Sequence, residues 1–226
     1  MRTGFEFDIA HTISTSVLLL SFALLYQRRM VGILQAFTVQ AVLVGAAAAW
    51  QAYIQDAPHL YVTALIAWVF KATIIPLALH SIVRRLGIHR TVETVLGINL
   101  TLLAGVGLVI LSILLVFPIA HASAAMTREN LALALSIVLI GLLLMITRRN
   151  AVTQVVGFMS LENGLVLAAV GVKGMPLVVE MSVAFSVLIA FIIFGMFLFR
   201  IRERFDTLDL QYLESFRGNH QEARRD

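Results

Sequence analysis

The sequence predicts an all-α, polytopic membrane protein with seven transmembrane helices. Of its 226 residues, 60% are hydrophobic and 13% are charged, whereas soluble domains have about 45–50% and about 25%. The mean hydropathy is +0.92, and a soluble fold could not bury so many apolar side chains. The apolar residues also form seven runs, each long enough to cross a hydrocarbon layer about 30 Å thick.

The seven apolar runs, numbered span 1 to span 7, are joined by connections of only a few residues. β-barrel strands would show apolar and polar residues alternating over about 10 positions, and residues 131–146 show no such alternation. We therefore expect a membrane domain over residues 1–200 and a cytoplasmic tail over 201–226, whose apolar residues recur at the spacing of an amphipathic helix. The predicted spans cover residues 9–27, 31–54, 60–83, 92–118, 130–147, 151–172 and 177–200.

Lysine and arginine residues are distributed unequally between the two ends of the spans. Turns 1–2, 3–4 and 5–6, the end of span 7 and the tail hold 13 of the 17 lysines and arginines, three lie on the opposite side, and Lys71 lies within span 3. Positive residues are retained on the cytoplasmic side, so we expect the N-terminus outside and the C-terminus in the cytoplasm. The clusters are short and flank apolar runs, so the net charge of +4 does not indicate nucleic-acid binding.

Several classes of function are excluded by residues or motifs that the sequence lacks. The chain has no cysteine, which excludes a disulfide framework, an iron–sulfur cluster and a cysteine-ligated zinc site. No Walker A loop, dinucleotide-binding glycine motif, HExxH or GxSxG motif occurs, and the histidines do not form a facing set of the haem-binding kind. We expect no catalysis, no cofactor and no metal site in this chain itself.

Spans 1–3 and spans 5–7 resemble each other. In both triplets the first span ends in an arginine pair, Arg28–Arg29 or Arg148–Arg149, and the second span carries polar residues near mid-membrane. Aligning the pairs brings Lys71 of span 3 near Ser186 of span 7. Parallel repeats occur in transporters, and span 4 would carry the chain back across the membrane between the two triplets. Alternatively, the two triplets are not a repeat and look alike only because apolar helices in general have similar sequences.

Two ionisable residues lie close to the middle of predicted spans, Lys71 in span 3 and Glu162 in span 6. A charged group at that depth costs on the order of 2.5–3.5 kcal/mol, and a lysine stem cannot reach a surface about 15 Å away. Each group must therefore meet an opposite charge, polar groups or water, or lose its charge. The functional interpretation is a proton relay through both groups. The alternative is a buried ion pair that fixes the register of the helices.

Further polar residues could continue such a relay. Gln40 in span 2 lies at a depth comparable to Glu162, and Asn163 follows Glu162 directly; both amides can donate and accept hydrogen bonds. Ser186 in span 7 and His80, toward the cytoplasmic end of span 3, are further candidates. His80 fits an interfacial position equally well.

Proline and small residues indicate how the spans bend and pack. Pro76 has no backbone N–H, so we expect it to kink span 3 and to free the carbonyl of Ala72 one turn earlier. Small residues recur at about helical spacing in span 6 and allow a close approach of helices, either within this protein or against a neighbour. They are Gly157, Gly164, Ala168 and Gly171.

Three motifs carry a resemblance to a known family. They are KATIIPL around Lys71 and Pro76, QVVGFMSLENG around Glu162, and TLDLQYLESFRG in the tail. In the order and spacing of these motifs the chain resembles hydrogenase-4 component E. The C-terminal half also resembles the K-type subunit of respiratory complex I and the C subunit of Mrp-type sodium/proton antiporters, through Arg148–Asn150 and the segment VVGFMSLENG.

The resemblance implies a non-catalytic subunit in the membrane arm of a group 4 nickel–iron hydrogenase or formate hydrogenlyase-type assembly. It also implies antiporter-like and other membrane subunits as partners, and the bacterial or archaeal cytoplasmic membrane as the location. In such assemblies soluble subunits carry out the redox chemistry, and the membrane arm is thought to couple it to proton or sodium translocation. Two alternatives stay open: a structural linker of that arm, and a subunit of a multisubunit cation/proton antiporter.

The chain departs from the K-type pattern at both of its carboxylates. K-type subunits have a carboxylate early in the helix that corresponds to span 6; this chain has Met159 there, and Glu162 lies one turn later. The second carboxylate, in the helix that corresponds to span 7, is replaced near Ser186. We therefore expect Lys71 to supply the missing titratable group of a relay with Glu162. The predicted polar links are Gln40, Asn163, Ser186 and His80.

Overall fold

The structure is a computed structural model that describes residues 2–85, 97–119, 125–171 and 188, all within the compact unit Met1–Leu188. Within these ranges the regular elements are helices, and six spans are long and apolar enough to cross a membrane. This agrees with the predicted all-helical membrane fold. Span 7 apart from Leu188, the candidate Ser186 and the tail 201–226 lie outside the described residues. The seven-helix count, the internal repeat and the two-domain division therefore stay predictions.

Each described span is a single α-helix except span 3. The single helices are Arg2–Tyr26 (span 1), Met30–Gln55 (span 2), Ile98–Ile119 (span 4), Ala125–Thr147 (span 5) and Ala151–Val170 (span 6). Span 3 consists of an α-helix at Pro58–Ile66, a π-helix at Ala67–Ile74 and a second α-helix at Ile75–Arg85. The largest difference from the predicted limits is at span 1, which begins at Arg2 because polar residues continue the helix beyond the apolar run.

The turns between spans follow from residues with particular backbone or capping properties. Asp56 caps the C-terminal end of span 2, and its φ of 49° lies in the left-handed region. Pro58 stands in the first turn of the next helix, where no backbone donor is needed. At the start of span 6, the Asn150 side-chain oxygen accepts a hydrogen bond from the backbone N–H of Val152 at 2.8 Å. Such short turns make consecutive spans antiparallel neighbours.

Contacts between span ends define two faces of the described helices. Where span 1 begins, Trp50 Nε1 donates to the carbonyl oxygen of Glu6 at 3.1 Å, and Gln55 Nε2 donates to the carbonyl oxygen of Val170 at 2.8 Å. We call this end the N-terminal face. The opposite end, which holds turns 1–2 and 5–6 with their arginine pairs, is called the arginine face.

Spans 5 and 6 approach each other closely at two glycines of span 6. A Cβ atom at Gly157 would lie 2.9 Å from the backbone nitrogen of Met145, and one at Gly164 would lie 2.8 Å from the carbonyl oxygen of Ala134. At these positions the small residues of span 6 therefore serve packing within this chain, against span 5. The contact holds in place the part of span 6 that carries Glu162.

Candidate functional site

The two ionisable residues of spans 3 and 6 form an ion pair. Lys71 Nζ lies 3.1 Å from Glu162 Oε1, and each residue is only 2% exposed. The pair lies away from the ends of both spans and is enclosed by the surrounding helices. Because breaking a buried pair by removal of one partner costs about 3–5 kcal/mol, each charge depends on the other to be tolerated at this depth.

Two amide side chains extend the ion pair to a third span. Asn163 Oδ1 accepts a hydrogen bond from Lys71 Nζ at 3.3 Å, and Asn163 Nδ2 donates to Gln40 Oε1 of span 2 at 3.3 Å. Both amides are completely buried. Since the ammonium group has donors only, it requires the oxygen of Asn163, and the NH₂ group of Asn163 is then directed at Gln40. The charge of Lys71 thus determines the order of donors and acceptors.

Gln40 continues the network to two serines that were not predicted from the sequence. Its Nε2 donates to Ser21 Oγ of span 1 at 2.8 Å and to Ser160 Oγ of span 6 at 3.0 Å. Ser160 lies three residues before Asn163, so helical spacing could have placed it on the same face. Ser21 lies in an apolar run of another span and carries no local signal. The hydrogen-bonded network joins four spans.

Lys71 lies in the π-helical segment of span 3, which was not predicted either. At the end of this segment the backbone N–H of Ile75 donates to the carbonyl oxygen of Phe70, five residues earlier, and Pro76 follows directly. A proline ring collides with the carbonyl of an α-helix four residues earlier, and a π turn has a wider hydrogen-bonding pattern. The structure thus has a π-helix next to Pro76, where the sequence predicted a kink; the bend itself stays a prediction.

Trp68, in the same π-helical segment, attaches span 3 to span 2. Its Nε1 donates to the carbonyl oxygen of Val42 at 3.1 Å. The indole ring lies where a side chain at Gly45 would be, since a Cβ atom there would lie within 3.0 Å of three ring atoms. This contact holds the segment that carries Lys71 against the helix that carries Gln40.

Two of the predicted site residues are not joined to this network in the described structure. His80 is partly buried, and within the described ranges no hydrogen bond connects it to Lys71, Glu162 or the amides. Ser186 lies outside the described residues. Their roles as polar links stay predictions.

The ion pair can hold one proton in two places. Transfer along the 3.1 Å contact converts the ammonium and carboxylate of Lys71 and Glu162 into an amine and a carboxylic acid. Asn163 and Gln40 do not titrate, so they orient the pair and distribute its charge by hydrogen bonding. Within residues 2–85, 97–119 and 125–171, no three His, Asp or Glu side chains are grouped as a metal site requires.

A second buried cation, Arg148, lies at the arginine face. It is 2% exposed, and its Nη2 donates to the carbonyl oxygens of Leu24, Leu25 and Gln27 at 3.0, 2.8 and 2.8 Å. These carbonyls end span 1, where the helix dipole attracts positive charge. Burial, and then the charge of Arg28, lowers the pKa of the Arg148 guanidinium from its ordinary value, but arginine keeps its proton in proteins. From the sequence, Arg148 was used only to predict membrane orientation and to support the family resemblance, and its burial was not predicted.

Comparisons with known proteins indicate a distant relationship. The chain is 27% identical over 164 residues to hydrogenase-4 component E of Escherichia coli K12 and of Shigella flexneri, which covers 72% of this chain and 76% of each relative. It is 34% identical over 118 residues to the uncharacterised protein Rv0085 of Mycobacterium tuberculosis, which covers 52% of this chain and 54% of that protein. The chain thus spans about half the length of that relative. No family model and no solved structure matches.

These comparisons support the resemblance to hydrogenase-4 component E at the level of distant homology. The six described helices that are long and apolar enough to cross a membrane fit a membrane location.

Proposed function

We propose that this chain is a non-catalytic subunit in the membrane arm of a hydrogenase-4-like, complex I-related assembly. In this proposal its Lys71–Glu162 pair takes part in proton translocation coupled to redox chemistry in soluble partner subunits. The partners are antiporter-like and other membrane subunits of the cytoplasmic membrane, and the N-terminus of the chain lies outside. The similarity to hydrogenase-4 component E supports the assembly.

The observation that carries the translocating role is the 3.1 Å contact between two buried groups that can both exchange a proton. A buried ion pair is often no more stabilising than apolar side chains of similar volume. Stability alone therefore gives little reason for the pair, whereas transfer of a proton needs both groups.

A change in the protonation of the pair would act on neighbouring charges. If the pair gains or loses one proton, its net charge changes by one unit within the low-dielectric interior, where charges interact more strongly than in water. The amides Asn163 and Gln40 keep the two groups aligned while this happens. This electrostatic coupling is the physical basis on which charge movements in adjacent subunits drive translocation.

Replacement of Glu162 by glutamine tests the proposal. Glu162→Gln keeps the shape of the side chain and an oxygen that accepts from Lys71, but removes the charge and the titration. Lys71 can then lose its proton and stay buried as a neutral amine, so the complex should assemble and redox-driven proton uptake into inverted vesicles should fall at least tenfold. The matched control is Glu129→Gln, which removes a carboxylate of 46% side-chain exposure outside the network and should leave uptake unchanged. Normal uptake per assembled Glu162→Gln complex would reject the translocating role.

A structural role is the second candidate function, because a completely buried network can also hold the spans together. It predicts the opposite pattern in the same variants. The amount of assembled complex would fall in Glu162→Gln, while proton uptake per assembled complex would stay normal.

A further inference from the structure

Thr63 of span 3 is a buried hydroxyl without a hydrogen-bond partner among the described residues. The residue is only 5% exposed. Hydroxyls in helices commonly donate to the carbonyl four residues earlier, and Thr38, Thr101 and Thr147 do so at 2.8, 3.1 and 2.7 Å. Thr63 differs from them. A buried polar group left without a partner costs about 1–3 kcal/mol, which a bound water molecule offsets.

Thr63 belongs to a buried strip of span 3 that passes through Lys71. Members four residues apart lie above one another on the same helix face. On the side of the N-terminal face the strip carries small side chains, whereas on the side of the arginine face it carries large apolar ones. In chain order the strip is Thr63, Ala67, Lys71, Ile75, Leu79 and Val83, and none of them is more than 5% exposed.

Span 2, which packs beside this strip, has the same asymmetry about Gln40. Toward the N-terminal face its buried residues include Ala48 and Ala52, and toward the arginine face they include Phe37 and Ile33. Span 6 does not share this asymmetry, since Met159 and Val156 are buried on the side of the arginine face and Val166 and Val170 on the other. Large apolar side chains of spans 2 and 3 thus close one side of the ion pair, while the other side begins with small residues of these spans and an unpartnered hydroxyl.

We propose that the Lys71–Glu162 pair exchanges protons with the N-terminal face through a hydrated passage past Ala67 and Thr63. Water in the passage takes a proton from the Lys71 ammonium, leaving the amine and a hydronium ion, and a water molecule bound by the Thr63 hydroxyl, which can donate and accept, passes the proton on. The reverse step reloads the lysine. This inference rests on the proposed translocating role of the pair. With the predicted orientation, the N-terminal face is the external one.

The cysteine-free sequence allows a direct test of access. Single variants Thr63→Cys and Ala67→Cys are exposed, in the assembled complex, to the impermeant methanethiosulfonate ethyltrimethylammonium in right-side-out and inverted vesicles. The buried control is Thr153→Cys, because Thr153 is completely buried near the arginine face and its hydroxyl donates to the carbonyl of Asn150. Asp8→Cys, exposed in span 1, identifies the N-terminal face.

Cysteines at 63 and 67 should react with reagent added on the side from which Asp8→Cys is modified, and at least tenfold faster than Thr153→Cys. If these cysteines react from neither face, or only from the arginine face, the proposed passage is wrong.

A functional variant tests the hydroxyl itself. Thr63→Val keeps the shape but removes the hydroxyl, so proton uptake should fall several-fold, and Thr63→Ser should recover most of it. Thr101→Val is the matched control, since Thr101 is also buried but its hydroxyl is bonded to its own helix. If Glu162→Gln abolishes uptake while Thr63→Val pumps normally, the passage is wrong and the pair keeps its role. If Glu162→Gln pumps normally, the proposed function is wrong, whether or not the cysteine of Thr63→Cys reacts with the reagent.

Discussion

Lys71 and Arg148 are both 2% exposed, yet the structure stabilises these two buried cations in different ways. Lys71 lies 3.1 Å from a carboxylate, that of Glu162. Arg148 donates to three backbone carbonyls, at most 3.0 Å away, at the C-terminal end of span 1.

The difference between the two sites concerns what each cation can do with its proton. The partner of Lys71 can accept a proton, so the pair has two protonation states. The carbonyl partners of Arg148 cannot, and a guanidinium keeps its charge in proteins. Burial of a cation is therefore not by itself a sign of proton chemistry; the partner decides. Lys71 has the partner that a relay needs, and Arg148 fastens turn 5–6 to the end of span 1.

The largest expected effect comes from removing one member of the ion pair. Lys71→Met leaves Glu162 buried without its cation and should lower the free energy of unfolding by about 3–5 kcal/mol. The double variant Lys71→Met/Glu162→Met removes both charges and should recover most of that loss. Thermal or denaturant unfolding in detergent measures both. A double variant as unstable as the single one would show that the pair itself contributes net stability.

Removal of the second cation should affect stability but not transport. Arg148→Met abolishes three charge-assisted hydrogen bonds at the end of span 1. It should lower the free energy of unfolding by about 2–3 kcal/mol, because water can bind some of the carbonyl groups that lose their donor. Arg148→Lys should recover part of it. Proton uptake per assembled complex should equal that of the wild type. A fall of this uptake in both variants would mean that Arg148 has a role in transport as well as in stability.

A methyl group between spans 5 and 6 should have a smaller effect. Gly164→Ala places a Cβ atom 2.8 Å from backbone atoms of span 5, and overpacking of this kind costs about 1–3 kcal/mol. Gly107→Ala in span 4 is the matched control, because nothing lies within 4 Å of a Cβ atom there. We expect unfolding to be easier only in the first variant. Equal stability of the two would mean that spans 5 and 6 separate readily.

The smallest expected effect is at the end of the network. Ser21→Ala removes one of the two acceptors of Gln40 and should lower the free energy of unfolding by about 1 kcal/mol. Ser16→Ala, on the same span, removes a hydroxyl that bonds only its own helix and should be nearly neutral. A loss in Ser21→Ala no larger than in Ser16→Ala would mean that the hydrogen bond from Gln40 to Ser21 adds no stability.

Much of the site could be selected from the sequence because polar residues stand out in apolar runs. Lys71, Glu162, Asn163 and Gln40 were recognisable by type and depth alone. Their pairing depends on how spans 2, 3 and 6 are rotated about their axes, which local sequence does not encode. For the same reason Ser21, a common residue in membrane helices, could not be assigned to the network.

The backbone was less predictable than the polar residues. Pro76 indicated a disturbance of span 3, but whether a proline produces a bend or a π-helix depends on the packing around it, including the contact of Trp68 with span 2. Arg148 was recognised as a turn residue, and its burial follows from the position of span 1, which lies more than a hundred residues earlier in the chain.

Proton uptake by the charge-free variant Lys71→Met/Glu162→Met, measured per assembled complex in inverted vesicles, tests the central claim most directly. Because this variant keeps the packing without any titratable group, we predict an assembled complex whose redox reaction proceeds while proton uptake falls to the background level. Uptake at the wild-type rate would contradict the account and leave the buried pair with a structural role only.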